Sequence, residues 1–200
     1  MGTLGARALR VHNSGSVKPG TIAMSLKISA EAIARTRTVL QRRPQIGLHD
    51  DVPALARWTG GMQVVSSHPH GAQVVSDMPA EFGGTGSKVT PGWLFRAGLA
   101  SCAATVIAIH AAEQGIELTD LEVQAVSRSD SRGVFGLTEA DGSAVCAGPR
   151  DVALKVRIAA RGVSRDALEA LVRTGCRCSP VPNALQLATP LTLQIDASVG

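Results

Sequence analysis

Between Thr90-Pro91 and Gly115 runs GWLFRAGLASCAATVIAIHAAEQ, a segment apolar nearly all the way round and rich in Ala, Gly, Ser and Cys. Its ends carry helix punctuation. Thr90 suits the N-cap, Pro91 the first helical position and Gly115 the left-handed position after the last turn. A helix without a polar face is a buried helix, and small side chains let other backbones approach it closely. The rest of the chain therefore has to wrap this segment. Its longest apolar run, residues 97–109, is shorter than the roughly 20 residues that span a bilayer, so no membrane partner is expected.

The segments around it read mostly as strands. ALARWTGGMQVVSS (54–67) and GAQVVSDM (71–78) are β-branched runs joined by His68-Pro69-His70-Gly71, which predicts a hairpin. EFGGTGSKVTP follows as a flexible Gly-rich loop. ELTDLEVQAVSRS (117–129) and DVALKVRIAA (151–160) read as two further strands with a turn-rich connection. Ser164 then caps a short helix whose Leu168, Leu171 and Val172 face the core and which Gly175 ends. PLTLQIDAS (190–198) alternates and closes the chain as a strand. Helices set between antiparallel strand pairs make an α+β fold. Ahead of all this, residues 1–20 show no periodicity and read as a loose tail. Residues 29–43 predict an amphipathic helix capped by Ser29, stopped by Pro44, with Ile33, Val39 and Leu40 near one face. The chain thus divides into an N-terminal tail and helical extension over 1–46 and a domain over 47–200.

Composition narrows the function. Two Trp, three Phe and no Tyr in 200 residues leave the core to Val, Leu, Ile and Ala, and leave little for a base-stacking surface. The net charge of +4 is scattered apart from Arg35, Arg37, Arg42 and Arg43, so no nucleic-acid partner is expected. Four cysteines are too few to staple a secreted scaffold, and no apolar signal region opens the chain, so a reducing, cytoplasmic setting is expected. GGTGSK (83–88) lacks the phosphate-loop spacing and a strand leading into it. His68 and His70 have no evident third ligand, so neither a metal nor a cofactor is expected. His110 with Glu113 reads as a surface pair at the helix end.

The cysteines carry the remaining chemistry. Cys102 lies mid-helix, where a free cysteine often serves as a small hydrophobe. It stands about three turns from the helix N-terminus, beyond useful reach of the dipole. Arg96, six residues earlier, lies about 120° around the helix, so an activating cation has to come from another segment or subunit. Cys176-Arg177-Cys178 has three readings: a zinc half-site without a second pair at the usual offset, a strained local ring, or half of a long-range redox pair with Cys102. Spacing alone does not establish that pair.

The order of features resembles the OsmC/organic-hydroperoxide-resistance (Ohr) family over roughly residues 54–197. The resemblance rests on the Pro-x-x-Leu-Phe-x-Ala-Gly-x-x-x-Cys helix ending at Cys102 and on PVPNAL (180–185). It implies an intertwined homodimer, with antiparallel sheets wrapped around two long central helices. It also implies a thiol peroxidase of oxidative-stress defence, acting on organic hydroperoxides or hydrogen peroxide. Cys102 would attack the peroxide and become a sulfenic acid; a second cysteine would condense with it, and an external dithiol would reduce the disulfide. Phe95, Leu99 and Val106 would line an apolar cleft at the dimer interface. The family's resolving cysteine falls on Ser179, which leaves the neighbouring Cys178 as the expected resolver. Its activating arginine falls on Met62 and the glutamate that holds it on Gly92; Arg57, Arg96, Arg128 and Arg132 are the substitutes, and the sequence does not choose among them. These departures motivate an alternative: a non-catalytic OsmC-like protein that binds an apolar small molecule at the dimer interface.

Overall fold

A computed structural model describes residues 19–198. Helix α1, Pro19–Arg42, starts ten residues ahead of the expected Ser29 cap, so Ser29 lies inside it. It ends where expected: Pro44 lacks an N–H to continue the ladder and opens a 3-10 turn instead. Of the tail expected over residues 1–20, positions 1–18 lie outside the described residues, while Pro19 and Gly20 belong to α1.

The run 54–67, read as one strand, is two. β1, Leu55–Gly60, and β2, Gln63–Ser67, reverse at Gly60-Gly61, and β3, Gln73–Ser76, pairs with β2 in a three-stranded antiparallel sheet of order β1-β2-β3. The expected hairpin through His68–Gly71 is the second of its two turns, closed by the His68 N–H donating to the Ala72 carbonyl at 2.9 Å. β1 is exposed along most of its length, with Trp58 at 70%.

The Gly-rich stretch that follows is pinned rather than loose. Asp77, only 1% exposed, accepts from the Met78 N–H at 2.8 Å, the Thr85 N–H at 3.0 Å and the Thr85 hydroxyl. Gly84 passes so close that a Cβ there would stand 1.8 Å from the Met78 carbonyl oxygen. The Thr85 hydroxyl, the largest influence, and the backbone N–H groups together hold the Asp77 carboxyl below its ordinary value. A carboxyl lowered by folding adds stability above its unfolded pKa of about 3.9 and loses it as pH falls through the lower folded value. The thermal midpoint should therefore hold from neutrality to about pH 4 and fall below that, with a shallower fall in Asp77→Asn. Equal acid profiles for the two proteins would contradict this role of Asp77.

Helix α2, Pro91–Glu113, keeps the predicted punctuation. The Thr90 side chain accepts from the Trp93 N–H at 3.2 Å, and Gly115 follows with φ +65°. At 23 residues it is long and apolar enough to cross a bilayer by length and composition, which corrects the estimate from its longest apolar run. Within the chain it buries one stripe, Leu99, Ala103, Ile107 and Ala111, at the i, i+4 spacing of a single helix face. β4, Leu118–Arg128, and β5, Arg150–Ala160, pair antiparallel over their whole length. Between them lie the short helix α3, Ser131–Val134, and a turn-rich connection. Helix α4, Arg165–Arg177, is capped by the Ser164 hydroxyl accepting from the Ala167 N–H at 3.3 Å. Ile107, Ala111 and Leu171 form a core cluster covered by Leu118, Leu121, Val123, Val156, Ile158 and Val172.

Gly175 does not end α4, which continues to Arg177. It is instead the point of closest approach to α2: a Cβ there would stand 2.6 Å from Ile107 Cγ1 and 2.9 Å from its Cα. Helix α5, Pro180–Gln186, follows after one turn. The expected closing strand does not form within the chain. Residues 190–198 form no regular element and pair with no strand among the described residues, and Leu191, Leu193 and Ile195 are 96%, 80% and 79% exposed.

Candidate functional site

α2 presents Phe95, Leu99, Cys102 and Val106 at successive spacings of four, three and four, which places them along one helical stripe. Leu99 is buried at 1%, so it packs inside the chain; Phe95, Cys102 and Val106 are half-buried. α5 crosses α2 at this level. The turn from α4 into α5 delivers Ser179, fully buried at 0%, against the cysteine. The Ser179 hydroxyl donates to Cys102 Sγ at 3.2 Å. This side-chain contact joins residues 77 positions apart, and it is the hydrogen bond found on that sulfur among the described residues.

The turn is built to hold the serine in place. Its N–H donates to the Cys176 carbonyl at 3.2 Å, and its own carbonyl accepts from the Asn183 N–H at 3.0 Å. Asn183 Nδ2 also donates to the Arg177 carbonyl at 2.6 Å. Pro180 and Pro182 fix φ on either side of Val181, and Pro182 is buried.

All four cysteines are free thiols. Cys178, the expected resolver, is the C-cap of α4 and is exposed; its N–H donates to the Thr174 carbonyl at 3.0 Å. Cys176 packs against the Ile107–Leu171 cluster, and burial pushes its thiol above the ordinary value. Cys146 is exposed in the β4–β5 connection.

The candidate arginines go elsewhere. Arg132 is shared by Asp130 at 2.6 Å and Glu139 at 3.0 Å, and its hydrogen bonds hold the Asp130 carboxyl down to about 2. Arg128 pairs with Asp151 at 3.6 Å on the surface. Arg57 stands on exposed β1, paired across the sheet with Val65. Arg96 is half-buried and donates to the Ser127 hydroxyl at 3.5 Å. A Cβ on Gly92 would stand 3.8 Å from Arg96 Nη1, so the site expected for the glutamate does adjoin a guanidinium, although Gly92 brings it no carboxylate. Met62 lies beside Gly83, with its Cε 3.9 Å from where a Gly83 Cβ would stand.

Other polar groups serve the frame. His68 Nδ1 lies 3.1 Å from the His70 N–H within its turn. His110 Nδ1 pairs with Glu113 at 3.1 Å, and Arg37 of α1 joins that carboxylate at 3.5 Å. An open groove of about 890 Å³ lies between α1 and the end of α2, lined by Ile33, Leu40, Ile109 and His110 among others, away from Cys102.

The Ser179 contact was hidden in the sequence because the serine reads there as a loss; its burial and aim are tertiary facts. Asp77 was missed as well, since nothing in SDMPAEFGGTGS announces a buried carboxylate.

The fold recurs in known proteins. No curated protein matches the chain. Solved structures match it at the level of fold. An OsmC-like protein from Mycoplasma pneumoniae is 17% identical with a TM-score of 0.57, over 70% of this chain and 89% of that one. An OsmC-like protein of unknown function from Vibrio cholerae is 16% identical with a TM-score of 0.54, over 68% and 94%. An organic hydroperoxide resistance protein from Elizabethkingia anophelis is 18% identical with a TM-score of 0.50, over 70% and 90%. The family model described as OsmC-like protein matches residues 84–194, more than half of the chain and inclusive of both Cys102 and Ser179, so the chain belongs to the OsmC-like protein family.

Proposed function

We propose that this protein is a thiol-dependent peroxidase of oxidative-stress defence, reducing organic hydroperoxides or hydrogen peroxide in the cytoplasm with Cys102 as nucleophile. The observation that carries this reading is the Ser179 hydroxyl donating to a half-buried Cys102 sulfur at 3.2 Å. A cysteine used only as packing needs no buried donor aimed at its sulfur; a sulfur that carries negative charge when it attacks does. The resistance role printed for the Elizabethkingia neighbour is in keeping with it. Phe95 and Val106, on the same stripe, would meet the organic part of the substrate. An external dithiol supplies the electrons.

The reading includes a second copy of the chain. Apolar side chains stand exposed on β1 at Trp58, on α2 at Trp93 and Ile109, and on the C-terminal segment at Leu191, Leu193 and Ile195. A homodimer with sheets wrapped around paired α2 helices would cover all three.

The test is hydroperoxide consumption by the purified protein in the presence of a dithiol. Turnover clearly above that of the dithiol alone is expected. Consumption no faster than the dithiol alone overturns the peroxidase. It would favour the second reading, an apolar ligand held at the dimer interface, which the lack of a guanidinium bonded to Cys102 among the described residues supports.

A further inference from the structure

We infer that oxidised Cys102 is released by direct attack of a small soluble thiol on its sulfenic acid, with no disulfide inside the protein formed first. This inference rests on the peroxidase reading and specifies its reductant step.

It follows from what can reach the sulfur. The group hydrogen-bonded to Cys102 Sγ is the hydroxyl of Ser179, which cannot form a disulfide. Cys178 is the next residue, with its Cα about 3.8 Å away along the chain, but it sits in the opposite surroundings. Ser179 is fully buried, and Cys178 is exposed. Exchanging them means rotating a turn fixed from four directions: Cys178 N–H to Thr174, Ser179 N–H to Cys176, Asn183 to Arg177, and Asn183 to Ser179. The last turn of α4 and the first of α5 would have to open together. Cys176 is half-buried against Ile107 and Leu171, and burial disfavours its thiolate, the form that attacks. Within one copy Cys102 is half-buried, and direct attack requires that the paired copy leave a small thiol a side from which to approach.

The steps balance with a dithiol as co-reactant. The Cys102 thiolate attacks the peroxide, the O–O bond breaks, one oxygen stays on sulfur, and the alkoxide leaves and is protonated to the alcohol. One thiol of the dithiol then attacks the sulfenic sulfur; an S–S bond forms, the S–O bond breaks, and the hydroxyl leaves with the thiol's proton as water. The second thiol attacks the dithiol's own sulfur in that mixed disulfide, closing a cyclic disulfide and returning Cys102. Each turnover reduces one peroxide by two electrons and oxidises one dithiol by two.

Peptide-resolved mass spectrometry tests this on the wild-type chain. The protein is treated with one equivalent of cumene hydroperoxide, then with stoichiometric β-mercaptoethanol, and its remaining thiols are alkylated. The expected product carries mercaptoethanol on Cys102, with Cys176 and Cys178 both alkylated. An internal disulfide from Cys102 to any other cysteine, present before the thiol is added, overturns the inference and leaves the peroxidase standing. A Cys102 that stays fully alkylatable after the peroxide overturns the peroxidase reading itself. Ser179→Cys supplies the converse. A sulfur at the Ser179 Oγ position needs only about 1 Å of closure to reach disulfide length, so this variant should bridge positions 102 and 179 and lose the mixed disulfide. Oxidation of Cys102 in this variant without bridging would overturn the claim that position 179 decides the route.

Discussion

Replacing Cys102 by serine is expected to bring hydroperoxide consumption down to that of the dithiol alone, a loss of at least about a thousandfold, as removal of a covalent nucleophile does. The substitution is nearly isosteric, and a hydroxyl at 102 can still accept from Ser179 at its 3.2 Å position. The α2 stripe of Leu99, Ala103 and Ile107 that anchors the helix is untouched, so the thermal midpoint should move little. A variant that keeps its fold and loses its turnover separates chemistry from packing. Ser179→Ala should have a smaller effect. It removes one hydrogen bond to a group that carries charge during attack, a contribution of about 1.5–3 kcal/mol, which corresponds to about a 10- to 100-fold slower reaction at neutral pH. Wild-type turnover in Cys102→Ser would mean that the consumption comes from another thiol, with exposed Cys178 and Cys146 as its sources.

The second large effect belongs to assembly. Leu191, Leu193 and Ile195 alternate along the last segment and project apolar side chains into solvent within a single copy. Burying each in a dimer contributes about 1.5–3 kcal/mol, so the three together account for about 5–9 kcal/mol of association. The triple variant Leu191→Asp, Leu193→Asp, Ile195→Asp should therefore weaken the dimer by at least about a thousandfold, since every 1.4 kcal/mol is tenfold. Sedimentation at micromolar concentration should show a dimer for the wild type and a monomer for the variant. A monomeric wild type, or a variant that dimerises as before, would contradict the proposed assembly.

Much of the framework was legible because its signals are local. Thr90, Pro91 and Gly115 mark the ends of α2 through capping chemistry, and the alternation in 117–129 and 151–160 gives β4 and β5. What was misread depended on neighbours that the local pattern does not name. The β-branched run from 54 to 67 continues on both sides of Gly60-Gly61, so its reversal was invisible to periodicity. Gly175, following Leu168, Leu171 and Val172, looks like a stop signal, yet the residue is glycine because Ile107 occupies the space where its Cβ would be. Alternation in 190–198 specifies a strand with one apolar face but not which chain supplies its partner. The Cys102–Ser179 contact lay furthest from view. The family resemblance marked both positions, but only the packing of α5 across α2 shows that the serine faces the sulfur while Cys178 faces solvent.

The most direct test of Cys102 as a peroxide-reactive thiol is to trap its first product. Wild-type protein, free of added thiol, is mixed with one equivalent of cumene hydroperoxide and a sulfenic-acid trap, and every cysteine peptide is then weighed. The prediction is a trap adduct on the Cys102 peptide, with Cys146, Cys176 and Cys178 recovered unoxidised. An unmodified Cys102, whatever happens at the other three, would contradict it.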